Sequence, residues 1–219
     1  MPRASLPTRI PEAPRLLLAG VVVLLAAVIL TDAFALYAGT RVYSLFVDDA
    51  GFVLAPTAEL DAAHTLHRRA WMFQANAVFA CGVVFIAWFH QMHRCVRALA
   101  PDRSGTGSGW AIGCWFVPLL NLWRPFRIAL GMWGVCGSPA PQGRATPSPW
   151  PVGLWWGLFV GVGAFNQYAA WTYSRAETLA EARYALARMM VGDLLDIVAA
   201  VAAIHFAVRL TAMCRRRTG

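Results

Sequence analysis

The fold is decided by the stretch "LLLAGVVVLLAAVILTDAFALYA", Leu16 to Ala38, in which Asp32 is the one charged residue. About 20 apolar residues in a helix, each adding about 1.5 Å, cross the hydrocarbon core of a bilayer. The stretch is therefore expected to be a transmembrane helix. A basic start, an apolar run and the small residues Ala33 and Ala35 also fit a cleaved signal peptide, but Asp32 and the apolar residues after it favour retention.

Three more apolar runs follow, at residues 71–89, 151–173 and 191–213. Charged residues make up 14% of the 219-residue chain and hydrophobic residues 58%, whereas a soluble domain has roughly 25% charged residues. We therefore expect an all-α integral membrane protein with about four transmembrane helices. A basic tail at 1–15 precedes a single membrane domain at 16–219.

The arginines predict how the protein is oriented. All nineteen basic residues are arginine, and they flank apolar runs, which excludes the basic soluble domain of a nucleic-acid-binding protein. If both termini are cytoplasmic and the chain crosses four times, thirteen of these nineteen arginines lie inside, as the positive-inside rule requires. This pattern predicts a multi-pass protein of the inner (cytoplasmic) membrane. The five cysteines show no spacing that indicates a disulfide framework.

The stretch "GWAIGCWFVPLLNLWRPFRIALGMW", Gly109 to Trp133, is apolar but interrupted. Pro118 favours a break in the helix just before it, and Pro125 suits the first turn of a new helix. We expect a broken re-entrant or interfacial helical segment at about 109–135. Asn121 would satisfy backbone groups freed at the turn, and the arginines would meet lipid headgroups. The residues with such roles are Pro118, Asn121, Trp123, Arg124, Pro125 and Arg127.

The same stretch resembles the signature of a bacterial membrane family called domain of unknown function 4328. In that family a run rich in glycine and tryptophan ends in a proline, and asparagine, tryptophan, arginine and proline follow. The corresponding residues here are Pro118, Asn121, Trp123, Arg124 and Pro125. The resemblance extends from about Trp71 to the C-terminus and implies the membrane architecture, without implying an activity.

Small and ionisable residues inside the spans are the remaining candidates. Gly153, Gly157 and Gly161 share one helix face, which indicates close packing on another helix, either of this chain or of a second copy. Ionisable residues inside a membrane suggest a proton or ion relay. The alternative is that the acids pair with arginines 41, 68 or 69 at the outer surface. The ionisable candidates are Asp32, Asp193 and Asp196, near the outer span ends, and His205, which lies deeper.

The histidine pairs at 64 and 67 and at 90 and 93 flank one span about 30 Å apart. They cannot share one metal, so we expect interfacial histidines, no metal site and no cofactor. No catalytic motif is present in the sequence. The first expectation is a non-catalytic subunit that assembles with itself or with other membrane proteins of a bacterial complex and contacts lipids. The alternative is a small transporter, channel or lipid-binding module.

Overall fold

The computed structural model describes residues 12–46, 57–100, 109–138 and 147–218. About 91% of these residues are helical and none is in a strand, which confirms the all-α class. The predicted basic tail lies, up to residue 11, outside the described residues. The helices are α1 (Glu12–Phe46), α2 (Thr57–Leu99), α3 (Trp110–Gly113), α4 (Pro118–Asn121), α5 (Arg124–Gly137), α6 (Trp150–Ser174) and α7 (Leu179–Thr218).

Three helices are long and apolar enough to cross a membrane, over Pro14–Leu45, Asp61–Leu99 and Leu179–Arg217. They support the predicted membrane class. The fourth predicted span corresponds to α6, which has 25 residues and no charged side chain. At about 1.5 Å per residue α6 is roughly 38 Å long, enough to cross a bilayer. Its crossing stays a prediction.

The helices extend well beyond the predicted spans. The last one begins at Leu179, twelve residues before the predicted start at Val191, because a capping box fixes its N-terminus. Thr178 Oγ1 accepts the Glu181 N–H at 3.2 Å, and Glu181 Oε2 accepts the Thr178 N–H at 3.3 Å. A Thr-x-x-Glu pattern was therefore the signal in the sequence for this boundary.

The longer helices change the position of the acidic residues. Asp32 lies fourteen residues before the end of α1, and Asp193 lies fourteen residues after the start of α7. Each is therefore about 21 Å along the helix from that end. The expectation that these acids lie near the outer ends of their membrane spans stays a prediction, because the helices continue beyond those spans.

The chain divides into two compact units. The first contains the described residues up to Val23, those of Cys81–Trp156 and those from Ala202 onward. The second contains the described residues of Leu24–Ala80 and Gly157–Val201, and it consists of segments of the four long helices. The prediction of a single membrane domain stays a prediction.

Each unit has its own apolar core. In the first unit, Trp155 stacks on Phe206 with ring centroids 4.4 Å apart, and Trp115 meets Phe89 edge to face at 5.7 Å. In the second unit one core cluster is built around Val42 and Leu186, and another around small side chains. Buried Ala35, Ala38 and Ala70 pack against Phe34 and Leu66. Alanine lets helices approach closely, so polar side chains of neighbouring helices in the second unit can reach one another.

Buried Cys136 of α5 and Cys214 of α7 form a disulfide in the first unit, with Cα atoms 4.7 Å apart. The expectation that the cysteines form no disulfide framework is wrong for this pair. The two cysteines are 78 residues apart, and their proximity depends on tertiary packing that no local spacing encodes.

Candidate functional site

Five polar side chains from four helices meet inside the second unit, and we call them the carboxyl–amide cluster. They are Asp32 of α1, Gln74 of α2, Asn166 of α6, and Asp193 and Asp196 of α7. The cluster brings together three of the four ionisable residues that the sequence singled out.

Gln74 joins two of the three acids. Its Nε2 donates to Asp32 Oδ1 at 2.7 Å and to Asp193 Oδ1 at 2.9 Å. An amide nitrogen carries two protons, so both are used on carboxylates. One side chain of α2 thereby links α1 to α7.

Asn166 holds the third acid. Its Nδ2 donates to Asp196 Oδ2 at 2.6 Å. This contact requires α6 and α7 to lie close together, which Gly192 permits: a Cβ at position 192 would overlap Oδ1 of Asn166. Gly192, which precedes Asp193, therefore leaves the space that Asn166 needs to bond Asp196.

Replacing Gly192 by Ala is expected to lower the free energy of unfolding by about 2–4 kcal/mol, because the methyl group displaces Asn166 and its bond to Asp196. Thermal unfolding in mild detergent measures the change. Gly163→Ala is the control, since a Cβ at Gly163 meets nothing within 4 Å. An equal melting temperature for Gly192→Ala and wild type would contradict the packing described.

Asp32 has the most unusual environment in the cluster. The residue is 0% exposed, and its Oδ2 has no hydrogen-bond partner in the described part of the chain. A buried carboxylate without a counter-charge is costly unless it binds a proton or a cation. Amide donors reduce this cost, but they do not neutralise the charge.

The acids do not form the ion pairs that the alternative interpretation required. Their hydrogen-bond donors, in the part of the chain that the structure describes, are the amides of Gln74 and Asn166. Arginines 41, 68 and 69 are exposed. Surface pairing with these arginines is therefore not what holds the three carboxylates.

His205, the fourth ionisable candidate, lies in the first unit. Its ring stacks on Trp150 at 5.5 Å, and its Nε2 is buried without a partner among the described residues. The aromatic contact is with a residue at the start of α6. The structure therefore places this histidine in an aromatic setting.

The interrupted segment has the predicted backbone. The chain is extended at Val117, with φ −98° and ψ 110°, and α4 begins at Pro118. Pro125 lies in the first turn of α5. Pro118 thus starts a one-turn helix after the break, where its missing N–H removes no helical hydrogen bond.

The side chain that hydrogen-bonds to the backbone of the turn is not the predicted one. Asn121 was expected to satisfy the freed backbone, but its Oδ1 is buried without a partner in the described structure. Trp156 Nε1 instead donates to the Leu122 carbonyl at 3.1 Å. An indole from α6 therefore supplies the bond, a contact between residues 34 positions apart.

Arg124 and Arg127 have different surroundings. The Arg124 guanidinium lies over the Trp110 ring, 5.3 Å from its centroid, and its Nε is buried without a hydrogen-bond partner in the described chain. Arg127 and Trp123 are exposed. The cation–π contact stabilises Arg124 beside the start of the segment. The binding of headgroups stays a prediction.

The predicted glycine face of α6 has no neighbour in the described chain. Gly153, Gly157 and Gly161 are exposed, and a Cβ at any of them would meet nothing within 4 Å. Packing within the described chain therefore does not occupy this face. Contact with another molecule stays a prediction.

Comparison with known families shows what this chain is similar to. The family described as Domain of unknown function (DUF4328) matches residues 53–212, more than half of the chain. The match includes four members of the carboxyl–amide cluster and leaves Asp32 outside. No curated protein and no solved structure matches the chain.

Proposed function

The chain belongs to the family described as a domain of unknown function, DUF4328, and we propose that it binds and passes a monovalent cation through the carboxyl–amide cluster. One observation carries the proposal: the Oδ2 of fully buried Asp32 lacks a partner, while amides are the groups that hold the three carboxylates in the described structure. We thus favour the transporter or channel function over the role of an assembly subunit. It includes no chemical reaction on a substrate.

The physical basis is the cost of charge in a medium of low dielectric constant. Three carboxylates from two helices repel one another, and hydrogen bonds from amides leave their net charge unchanged. Each proton or other monovalent cation that binds lowers that negative charge by one, at a small cost in volume. Because α1, α2, α6 and α7 all contribute side chains, gain or loss of the cation changes the forces between four helices at once.

The proposed setting is the inner membrane of a bacterium, with α6 as the fourth crossing and both termini in the cytoplasm. The arginine distribution supports this orientation, and α6 carries no charged residue that would oppose insertion. The segment at 109–135 remains on the cytoplasmic side. Lipids are its proposed partners there.

Cation entry into vesicles tests the proposal. The purified protein is reconstituted in phosphatidylethanolamine–phosphatidylglycerol vesicles, and a potassium diffusion potential with valinomycin makes the interior negative. Enclosed dyes that report pH and sodium then measure proton and sodium entry separately. We expect at least one of the two ions to enter faster than in vesicles without protein. If both ions entered at the rates of protein-free vesicles, the proposal would be contradicted.

The exposed glycine face favours a second candidate function, self-assembly through α6. Gly157→Leu is expected to shift the protein to a smaller oligomer while its melting temperature stays unchanged, because the described chain has nothing within 4 Å of this position. Size-exclusion chromatography with light scattering measures the oligomer. Gly163→Leu, which points away from the glycine face, is the matched control. An unchanged oligomer for Gly157→Leu would exclude this face as the contact.

A further inference from the structure

We infer that the cation is a proton and that it reaches the carboxyl–amide cluster through the imidazole of His67. The inference rests on the proposed function and adds the identity of the ion and its entry route. Every residue that carries the argument lies in the second unit.

A small cavity connects His67 with the cluster. It has a volume of about 20 Å³ and is lined by His67, Gln74 and Asp193, together with apolar residues of α1 and α7. A cavity of this size holds one water molecule, and the polar atoms of its lining supply the partners that such a water needs. His67 and Asp193 therefore line the same water-sized cavity from two different helices.

His67 has the position and the unpartnered ring nitrogen that proton exchange requires. It is half-buried on α2, and its Nδ1 is buried with no hydrogen-bond partner among the described residues. Seven residues separate it from Gln74, so the two side chains share one face of α2 and lie about 10 Å apart along the helix. An imidazole accepts a proton on one ring nitrogen and releases one from the other.

A second cavity lies between α1 and the N-terminal part of α2. It has a volume of about 150 Å³, and its lining includes Arg41, Ser44, Glu59 and Leu66. Leu66 is the sequence neighbour of His67, and Arg41 and Glu59 are exposed. This cavity brings charged side chains to the helix turn next to His67, and His67, which is half-buried, keeps part of its own surface accessible.

The geometry favours a proton over a metal cation. In the described part of the chain, no three His, Cys, Asp or Glu side chains are arranged to hold one metal ion. Asp32 and Asp193 instead share the amide of Gln74, Asp196 is held by Asn166, and the inner cavity leaves room for about one water. A hard metal cation needs about six oxygen ligands, whereas a proton needs a chain of hydrogen-bond partners.

The transfer is balanced in protons. Neutral His67 takes a proton from a hydronium ion on one ring nitrogen, which leaves a water molecule, and becomes imidazolium. It releases the proton of its other nitrogen to the water of the inner cavity, which passes a proton to the Asp193 carboxylate. The products are neutral His67 in its other tautomer and neutral Asp193. Neutral Asp193 no longer repels Asp32, which accepts a hydrogen bond from the same Gln74 amide.

Proton entry into the vesicles described above tests the route. His67→Ala is expected to slow entry about tenfold or more, and added imidazole is expected to restore it by replacing the missing ring. His64→Ala is the matched control, because His64 is an exposed histidine one turn earlier on the same helix. Its rate is expected to equal that of wild type.

The outcomes separate this inference from the proposed function. Wild-type proton entry in His67→Ala, with entry abolished by Asp32→Asn, would overturn the route and leave the cluster as the binding site. Entry of sodium without protons in the wild-type protein would overturn both the choice of ion and the route through His67, and would leave the proposed function in place. If proton entry is slow in His67→Ala, the elution volume is normal and added imidazole does not restore the rate, His67 has a positioning role and is not a relay. Normal entry in Asp32→Asn would remove the proposed function itself.

Discussion

Asp32→Asn is expected to lower cation entry into vesicles by about a hundredfold or more, while the melting temperature stays unchanged or rises. Asparagine has nearly the shape of aspartate, and its side-chain oxygen can still accept the Gln74 bond that Oδ1 accepts at 2.7 Å. What is lost is the oxygen that binds the cation. The substitution therefore removes the function and preserves the packing.

The stability half of this prediction follows from the burial of Asp32. A fully buried carboxyl group with one unpartnered oxygen carries a desolvation cost that a neutral amide reduces. A purely structural aspartate would behave in the opposite way, because its loss would lower the melting temperature. Measuring transport and thermal unfolding on the same preparation separates the two roles.

Asp61→Asn is the matched control, since Asp61 is an exposed aspartate of α2. Its cation entry is expected to equal that of wild type. A large loss of stability in Asp32→Asn, with cation entry reduced only in proportion to the loss of folded protein, would contradict the assignment of Asp32 as the cation-binding group.

The apolar runs were enough to predict the class of fold, because bilayer thickness and backbone hydrogen bonding leave few alternatives. The ends of the helices were less accessible. At Thr178 and Glu181 a capping box marks the start of α7, yet the apolar run begins only later. Hydropathy reports where a helix meets lipid, and capping reports where it begins.

The site could be predicted in part. Asp32, Asp193 and Asp196 stand out in apolar surroundings, so each could be recognised alone. The partner of Asp32 and Asp193 could not, because Gln74 lies 42 residues from Asp32 and 119 from Asp193. An uncharged amide in "WMFQANAVFA" is a weak signal, although a polar side chain at that depth needs a partner.

The interrupted segment shows the same limit. Proline acts on its own backbone, so the break before Pro118 and the helix start at Pro125 follow from local chemistry. The donor to the Leu122 carbonyl comes from Trp156, and no local rule selects it over Asn121. Side-chain partners were missed wherever tertiary packing determines them.

Loss of the disulfide is expected to give the second large effect. Cys136 and Cys214 close a loop of 78 residues, for which chain entropy gives a stabilisation of up to about 4.5 kcal/mol. The measured loss is expected to be smaller, because helices that remain in the membrane already restrict the unfolded chain. The double change Cys136→Ser and Cys214→Ser should lower the melting temperature in detergent, and Cys95→Ser, at a half-buried free cysteine, should not. Equal melting temperatures for the wild type, the double variant and Cys95→Ser would contradict a stabilising disulfide.

The same pair of cysteines tests the proposed orientation. Arg215, Arg216 and Arg217 follow Cys214 directly and favour a cytoplasmic C-terminus, where disulfides are reduced. We therefore expect free thiols in living cells and a disulfide in the protein purified in air. Acid quenching, denaturation and alkylation with a mass-shifting maleimide measure this, and denaturation is required because both cysteines are buried. A pair already oxidised in cells would place the end of α7 on the outer side of the membrane. The arginine-based topology would then be wrong. The carboxyl–amide cluster would keep its geometry, because its contacts do not depend on orientation. Its entry route from His67 would then face the cytoplasm.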